Sequence, residues 1–447
     1  MDFCRHYEHH FVQRGMNSVE HARHYLSGLL GKQRRKNIET INNDVSSSDY
    51  QGMEQFISSS PWCYRGLMKQ VARDAGRMMS CPKQTGLFID ETSFLKKGKS
   101  SVGVQRQWSG RAGKIENCQV AVFASLGDGK RMALTDFRLF LPESWAEDPA
   151  RCDKAKVPEN ERRHRAKWEL ALEMIKEARA NGLGFGWVGV DSLYGSNARF
   201  LNELEDLGEH FVADINKTTK VWTSEPQLEK PGPSTGGRPR KHARLHPRNA
   251  AQYVSVEELA RAEFETGHRQ VSYRQGTKGA LTTRFMSRDV WCWERGWPRA
   301  RKRRLLIRQD ADGSFKWTLT SLPPEGGARR DAWLQGQRFW IEHAFHEAKS
   351  QLGMAQYQVR VWKGWHHHMA LVCLAFLFTE KTRDLTRAEQ PLLGARDITE
   401  LLDYYLPRKN RSEAELLAQI QERHRLRQLD IDRRAKHSTG LPKNLTK

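Results

Sequence analysis

The chain has 447 residues, with 74 Lys and Arg against 53 Asp and Glu and a formal net charge of +21. That imbalance favours a polyanionic partner, and with no amphipathic membrane helix or lipidation signal beside it the expected partner is nucleic acid rather than a membrane. The opening "MDFCRHYEHHFVQRG" lacks the apolar stretch of a secretory signal. The longest apolar run, 369–378, is too short to span a bilayer. Seven scattered cysteines without a C-x-x-C pair predict reduced thiols in a cytoplasm and speak against a zinc finger.

Residues 1 to about 80 are predicted helical. In "SVEHARHYLSGLLG", Val19, Ala22, Tyr25, Leu26 and Leu29 recur at helical spacing, with Ser18 as an N-cap and Gly31 as a stop. The cluster "KQRRKN" that follows is either a solvated face or a phosphate contact, and the basicity of the whole chain favours the contact. From Gly86 the pattern turns to strands: "GLFIDETSF", then "CQVAVFASL" and "MALTDFRLFL", with the hairpin turn "GDGK" between the last two. A charged helix is predicted over about 163–180. A buried strand, "WVGV", follows and ends at Asp191, then a helix over about 197–207 and a strand "HFVADI". Hairpin strands followed by helix–strand–helix–strand predict a mixed α/β layer architecture.

The stretch "EKPGPSTGGRPRKHARLHPRN" is too rich in Pro, Gly and basic residues for a core element. About 250–325 reads as β with loops. One helix is predicted from about 331 to 352 and more helices to the end, with the last forty residues basic and partly disordered.

Asp90 and Asp191 are each predicted to end a strand of one α/β unit, where reactive groups collect in such sheets. Either alone is as well explained as the cap of a following helix or turn. Together they suit a divalent cation, whose charge offsets their repulsion and desolvation. A third acid sits in "QRFWIEHAFHEAKSQLG". There Ile341, Phe345, Ala348 and Leu352 form a core stripe, and Arg338, Glu342, His346 and Lys349 form a neighbouring one. That border is either a set of ordinary i,i+4 ion pairs or an acid presented to the Asp pair with cations for a phosphate backbone. Glu347 is the rival acid, well round the helix, and His346 a further candidate ligand. Two strand-end carboxylates and a helical one meet the needs of two-metal phosphoryl transfer, in which one ion lowers the pKa of water or a 3′-OH and the other stabilises the leaving oxygen. No P-loop and no G-x-S-x-G is present.

The segments "FIDETSFLKKGKSSVGVQRQWSGRAGKIENCQVAVF", "GVDSLYG" and "RFWIEHAFHEAKSQLG...YQVR" together resemble the DDE transposases of bacterial insertion sequences, over roughly residues 80–385. The similar branch has a β-rich insertion before the catalytic Glu and a Y-x2-R-x3-E-x6-K signature. Arg338, Glu342 and Lys349 match its R, E and K, while Gln335 stands at the Tyr position. The resemblance implies an α/β fold: an RNase H-like catalytic core interrupted by a β-rich insertion, with helical N- and C-terminal parts. The corresponding division is a helical DNA-binding region (1–80), the first part of the core (81–216), the insertion (217–328), the second part of the core with the Glu helix (329–385) and a basic helical C-terminal region for dimerisation or DNA contact (386–447).

The same resemblance implies Asp90, Asp191 and Glu342 as catalytic ligands of two Mg²⁺ ions, with Mn²⁺ as a substitute. It implies nicking at the ends of a mobile element, hairpin formation there, and strand transfer by the freed 3′-OH. Arg338 and Lys349 would hold double-stranded DNA beside the metals, and the protein would act as a homodimer on DNA, in the cytoplasm at the nucleoid. Two other readings stay open: a transposase-derived DNA-binding protein that no longer cuts, and a metal-dependent nuclease without strand transfer.

In the insertion, Trp291 and Trp293 alternate in "VWCWERGW" and would share one face of a strand. A cationic block, 299–304, follows. These are either a small core and a solvated loop, or a base-stacking aromatic with phosphate grips beside it. In related transposases a Trp of the insertion stacks on a flipped base. On that resemblance Trp293 is expected to face DNA, with Arg301, Lys302, Arg303 and Arg304 on the flanking phosphates.

Overall fold

The computed structural model describes residues 2–439 apart from 14, 46–47, 80, 111, 231–240, 248–251, 277–278 and 411. Its spine is a ten-stranded mixed sheet. The strands are β1 (Gly86–Leu95), β2 (Gln105–Ser109), β3 (Lys114–Gly127), β4 (Met132–Leu139), β5 (Trp187–Val190), β6 (Phe211–Asp214), β7 (Arg269–Gly276), β8 (Gly279–Cys292), β9 (Arg301–Gln309) and β10 (Phe315–Thr320). Around them lie α1 (Val19–Leu29), α2 (Ile38–Asp44), α3 (Tyr50–Ser58), α4 (Tyr64–Met78), α5 (Lys167–Ala180), α6 (Ala198–Asp206), α7 (Gly327–Gly336), α8 (Phe339–Gln351), α9 (Trp362–Thr386), α10 (Ala395–Tyr405) and α11 (Glu413–Thr439).

β1 runs antiparallel to β3 and parallel to β5, and β5 runs parallel to β6. Leu87, Phe88 and Ile89 are all fully buried, the unbroken apolar run of a strand covered on both faces. The long β3 pairs with β2 along its first part and with β4 along its second. The hairpin between β3 and β4 forms as expected. Asp128 Oδ1 accepts from Lys130 N and Arg131 N, and Gly129 takes φ +86°, where a side chain would be strained.

The apolar run of 369–378 lies in α9, where Met369 to Leu377 are all buried, as a helix apolar on every side must be. α1, α3 and α4 pack on α9, and all five apolar positions predicted in α1 are buried there. Residues 1–80 therefore share one hydrophobic core with the C-terminal half instead of forming a core of their own. The Ser18 side chain does not cap α1; the Asn17 side chain accepts from Val19 N instead.

The segment expected as an insertion continues the sheet. β10 pairs with β6, and β9, β8 and β7 follow outward as an antiparallel run. Much of its Pro- and Gly-rich stretch lies outside the described residues. The single helix expected over 331–352 is two, α7 and α8, broken at Gln337 and Arg338. The last forty residues, expected to be partly disordered, include the long helix α11. No helix among the described residues is long and apolar enough to cross a membrane.

Candidate active site

Three parallel strands meet the site level with one another. Ile89 pairs with Val190, and Val190 with Ala213. The next residue on each strand is an acid: Asp90, Asp191 and Asp214. β5 and β6 finish here, while β1 runs on to Leu95. Asp90 is therefore a mid-strand residue, not the strand end expected from the sequence; what ends beside it is its parallel neighbour.

Asp191 fulfils the capping reading of its position. Its Oδ1 caps the short turn Ser192–Gly195, accepting from Leu193 N at 2.9 Å and Tyr194 N at 3.4 Å. Asp90 caps nothing, being mid-strand; its Oδ1 accepts from Glu91 N at 2.8 Å and its Oδ2 faces Arg338. The turn after Asp191 lies so close to β6 that a Cβ on Gly195 would stand 1.9 Å from the Asp214 carbonyl oxygen. Only glycine allows this approach.

Asp90 is 9 % exposed. Burial, and next the charge of Asp191 beside it, push its carboxyl well above the usual range, against the pull of Arg338. Asp191 is raised as well, by burial and then by Glu91. Two acids held this way favour any cation that comes between them.

Arg338 supplies one. It lies at the break between α7 and α8, and its side chain reaches the strands. Its Nη1 lies 3.4 Å from Asp90 Oδ2, its Nε donates to Asp214 Oδ2 at 3.0 Å and its Nη2 lies 2.7 Å from Glu342 Oε1. Burial would lower its pKa, but Asp214, Glu342, Asp90 and Asp191 together raise it, so it stays charged. Glu342 itself is half exposed. It meets the Asp pair through Arg338, and among the described residues no group of three or more His, Cys, Asp or Glu stands close enough to hold a metal ion. Lys349, one face along the same helix, donates to Thr92 Oγ1 at 2.5 Å and Ser93 O at 3.2 Å, fastening α8 to β1.

Asp214 was not among the residues chosen from sequence, although "HFVADI" repeats the pattern of an apolar run followed by Asp seen in "WVGVD". Its second oxygen accepts from Thr318 Oγ1 at 2.7 Å, and Thr318 in turn accepts from Gln335 Nε2 at 2.9 Å. Both Thr318 and Gln335 are buried. Gln335, the residue that departs from the signature tyrosine, thus forms the outer end of a chain that holds Asp214 against Arg338.

A family profile described as DDE superfamily endonuclease matches residues 12–280, more than half of the chain. The chain belongs to the DDE superfamily of endonucleases. The matched span contains Asp90, Asp191 and Asp214; Glu342 lies beyond it. The chain is also similar to a protein of Microchaete diplosiphon named as the probable transposase for insertion sequence element IS701, 23 % identical over 362 residues, covering 80 % of this chain and 81 % of that one.

Membership of the superfamily implies an RNase H-like core, with which the mixed sheet agrees, and endonucleases of this superfamily generally depend on a divalent metal. The residues present fit such an ion. Asp90 and Asp191 offer hard oxygen donors, each with one oxygen turned away from its backbone bonds, and burial first, then neighbouring acids, raises both carboxyls, a cost to the charged form that a divalent cation would offset.

Other expected site residues are placed differently. The cationic block is not a solvated loop but the strand β9. Arg301 pairs with Glu205 at 2.9 Å and Asp206 at 2.7 Å, Lys302 with Asp289 at 2.7 Å, Arg303 with Glu205 at 2.9 Å and Arg304 with Asp331 at 2.6 Å. Arg303 and Arg304 are buried. Arg301, Arg303 and Arg304 thus fasten β9 to α6 and α7, while Lys302 and its partner Asp289 on β8 stay exposed. Trp293 lies just past the end of β8, half buried, and its Nε1 donates to Trp297 O at 3.1 Å, closing a turn. Glu347 is buried against Arg383 at 2.9 Å, away from the Asp pair, and His346 is exposed.

Proposed function

We propose that the protein is a transposase, which binds the terminal inverted repeats of an insertion sequence, cleaves the DNA there and joins the freed 3′-OH ends to a new site. The observation that supports this best is the level row of acids on parallel strands, with Glu342 tied to it through Arg338. The relative from Microchaete diplosiphon, named as a probable transposase, supports the same reading. A protein that only bound DNA would have no use for two carboxylates buried side by side, since an uncompensated buried charge is destabilising.

In this reading Asp90 and Asp191, with Glu342 brought to them, would hold two Mg²⁺ ions, or Mn²⁺ in their place, and such ions would supply acidification of the attacking water or 3′-OH and stabilisation of the leaving oxygen. Arg338 keeps the acids together before metal and DNA arrive, and its guanidinium is the group nearest to receive the phosphate being cut. Lys349 fastens α8, which carries Glu342, to β1, which carries Asp90. The protein works as a homodimer assembled on double-stranded DNA, and Trp293 stacks on an unpaired base near the cut.

The test is cutting and joining, with Mg²⁺, of labelled duplexes that carry the inverted repeats flanking the gene. Cut ends and joined products are expected, and both should disappear in excess EDTA. Cutting without joining would make the protein a nuclease. Binding without either would make it a DNA-binding descendant of a transposase.

A further inference from the structure

A second basic surface lies away from the acids. The segment 32–37, between α1 and α2, faces α10, α11 and the loop between them across an open hollow of about 1270 Å³. Arg34, Arg35, Arg408, Lys409 and Arg427 line it, from the two ends of the chain. Its acids are Asp44 and Asp403, and Asp403 is already engaged by Lys32 at 3.0 Å and Arg408 at 2.9 Å. Among the described residues no acid pairs with the side chains of Arg34, Arg35 or Arg427. This contrasts with the block on β9, where every cation from Arg301 to Arg304 has its acid.

The hollow is also built, not merely charged. Gln356, just beyond α8, holds the main chain on both sides of Arg35: its Oε1 accepts from Lys36 N at 2.7 Å and its Nε2 donates to Arg34 O at 3.2 Å. Lys36 is 3 % exposed and turned inward, with Nζ on Leu29 O at 2.6 Å and on the carbonyl of Gln351, the last residue of α8. Lys36 thus ties the segment to the helix that carries Glu342, while Arg34 and Arg35 are left exposed. Both polar atoms of the Gln33 amide, which lines the same hollow, are buried without a protein partner.

We propose that this hollow binds the sugar–phosphate backbone of duplex DNA, with Arg34 and Arg35 as its phosphate contacts and Arg427 closing it from the opposite side. The proposal rests on the reading of the protein as a DNA-processing enzyme and adds a place where DNA is held apart from the place where it is cut. A phosphate backbone fits the site better than a small anion does, because the unpaired cations are spread along an open hollow instead of converging on one point. The link through Lys36 and Gln356 ties this grip directly to the end of the Glu342 helix.

The test uses the full chain and a fluorescent duplex of arbitrary sequence, with anisotropy read across a salt titration. The double variant Arg34→Gln/Arg35→Gln should bind about tenfold more weakly, and its slope of log affinity against log salt should flatten by about two. Arg199→Gln, which removes an exposed arginine from α6, should change neither. Since Arg34 and Arg35 are exposed, thermal melts of all three proteins should coincide. Unchanged affinity and slope in the double variant, with wild-type protein still binding and cutting DNA, would overturn this site and leave the proposed function standing. Equal weakening by Arg199→Gln would overturn it too, by showing that only overall charge matters. A wild-type protein that neither binds nor cuts duplex DNA would take the proposed function down with it.

Discussion

Arg338 donates through Nε to Asp214 at 3.0 Å, while Thr318 Oγ1 donates to the other oxygen of the same carboxylate at 2.7 Å. Asp214 is thereby fixed from both sides, and it fixes Arg338 between Asp90 and Glu342. Removing it should loosen the arginine without removing any acid of the proposed metal site. We expect Asp214→Ala to lower DNA cleavage about 10- to 100-fold, the usual range for partners that orient a site's primary groups. Thr318→Val should act in the same direction with smaller effect. The measurement is the single-turnover cleavage rate at saturating DNA. An Asp214→Ala protein that cuts at the wild-type rate would show that the contact holds the fold alone.

Asp90→Ala, Asp191→Ala and Glu342→Ala should each abolish cleavage while duplex binding persists. Direct titration with Mn²⁺, followed by its paramagnetic signal, should show affinity lost in the two Asp variants whether or not DNA is present. Ca²⁺, with its longer bonds and looser geometry, should support assembly on DNA with little cutting. Glu347→Ala should behave differently. Glu347 is a buried partner of Arg383, so its loss should lower stability by about 3 kcal/mol in urea unfolding, with no change in metal affinity.

Gly195→Ala tests the close approach behind Asp191. The added Cβ would stand 1.9 Å from the Asp214 carbonyl oxygen, and backbone cannot yield as a side-chain tip can. The variant should lose about 2 kcal/mol or more in equilibrium unfolding and lose cleavage as well, because the turn and the end of β6 move apart together. Wild-type stability in this variant would mean that the turn has room to shift.

Glu380 gives a pH dependence. It is 1 % exposed on α9, and burial pushes its carboxyl up to about 7, with Arg383 opposing and Glu347 adding to the rise. The group is therefore protonated in the fold at pH values where the unfolded chain has already ionised it. Its contribution is fully present below the ordinary glutamate value of 4.5 and is lost as pH rises through about 7. Glu380→Gln should match the wild type only at about pH 4.5 and below. Its lead should open as pH rises above about 4.5, reach roughly 1–3 kcal/mol by about pH 7, and hold there above it. Parallel melting curves at pH 5, 6, 7 and 8 check this, and a constant gap across them would refute it.

What the sequence determined by itself is what local pattern controls. The buried runs of β1 and β5, the Asp128–Gly129 turn, the apolar stripe of α1 and the core helix α9 all follow from periodicity and turn chemistry, which act over a few residues. Asp90 and Asp191 stand out for the same reason, as acids beside apolar runs, and Glu342 by its motif, but that Glu342 meets the pair only through Arg338 is not written in any of the three motifs. The sequence could not decide which charges face one another. Arg301, Lys302, Arg303 and Arg304 look like a free basic block until β9 pairs them with Glu205, Asp206, Asp289 and Asp331. Arg34 and Arg35 look no different, and among the described residues tertiary packing brings no acid to pair with them. Asp214 became part of the site only because the parallel register of β1, β5 and β6 sets it level with Asp90 and Asp191. The break at Gln337 and Arg338 interrupts a helical pattern that is continuous in the sequence. Secondary structure depends on neighbours in the chain, whereas the pairing of charges depends on neighbours in space, and those are set only when the whole sheet has assembled.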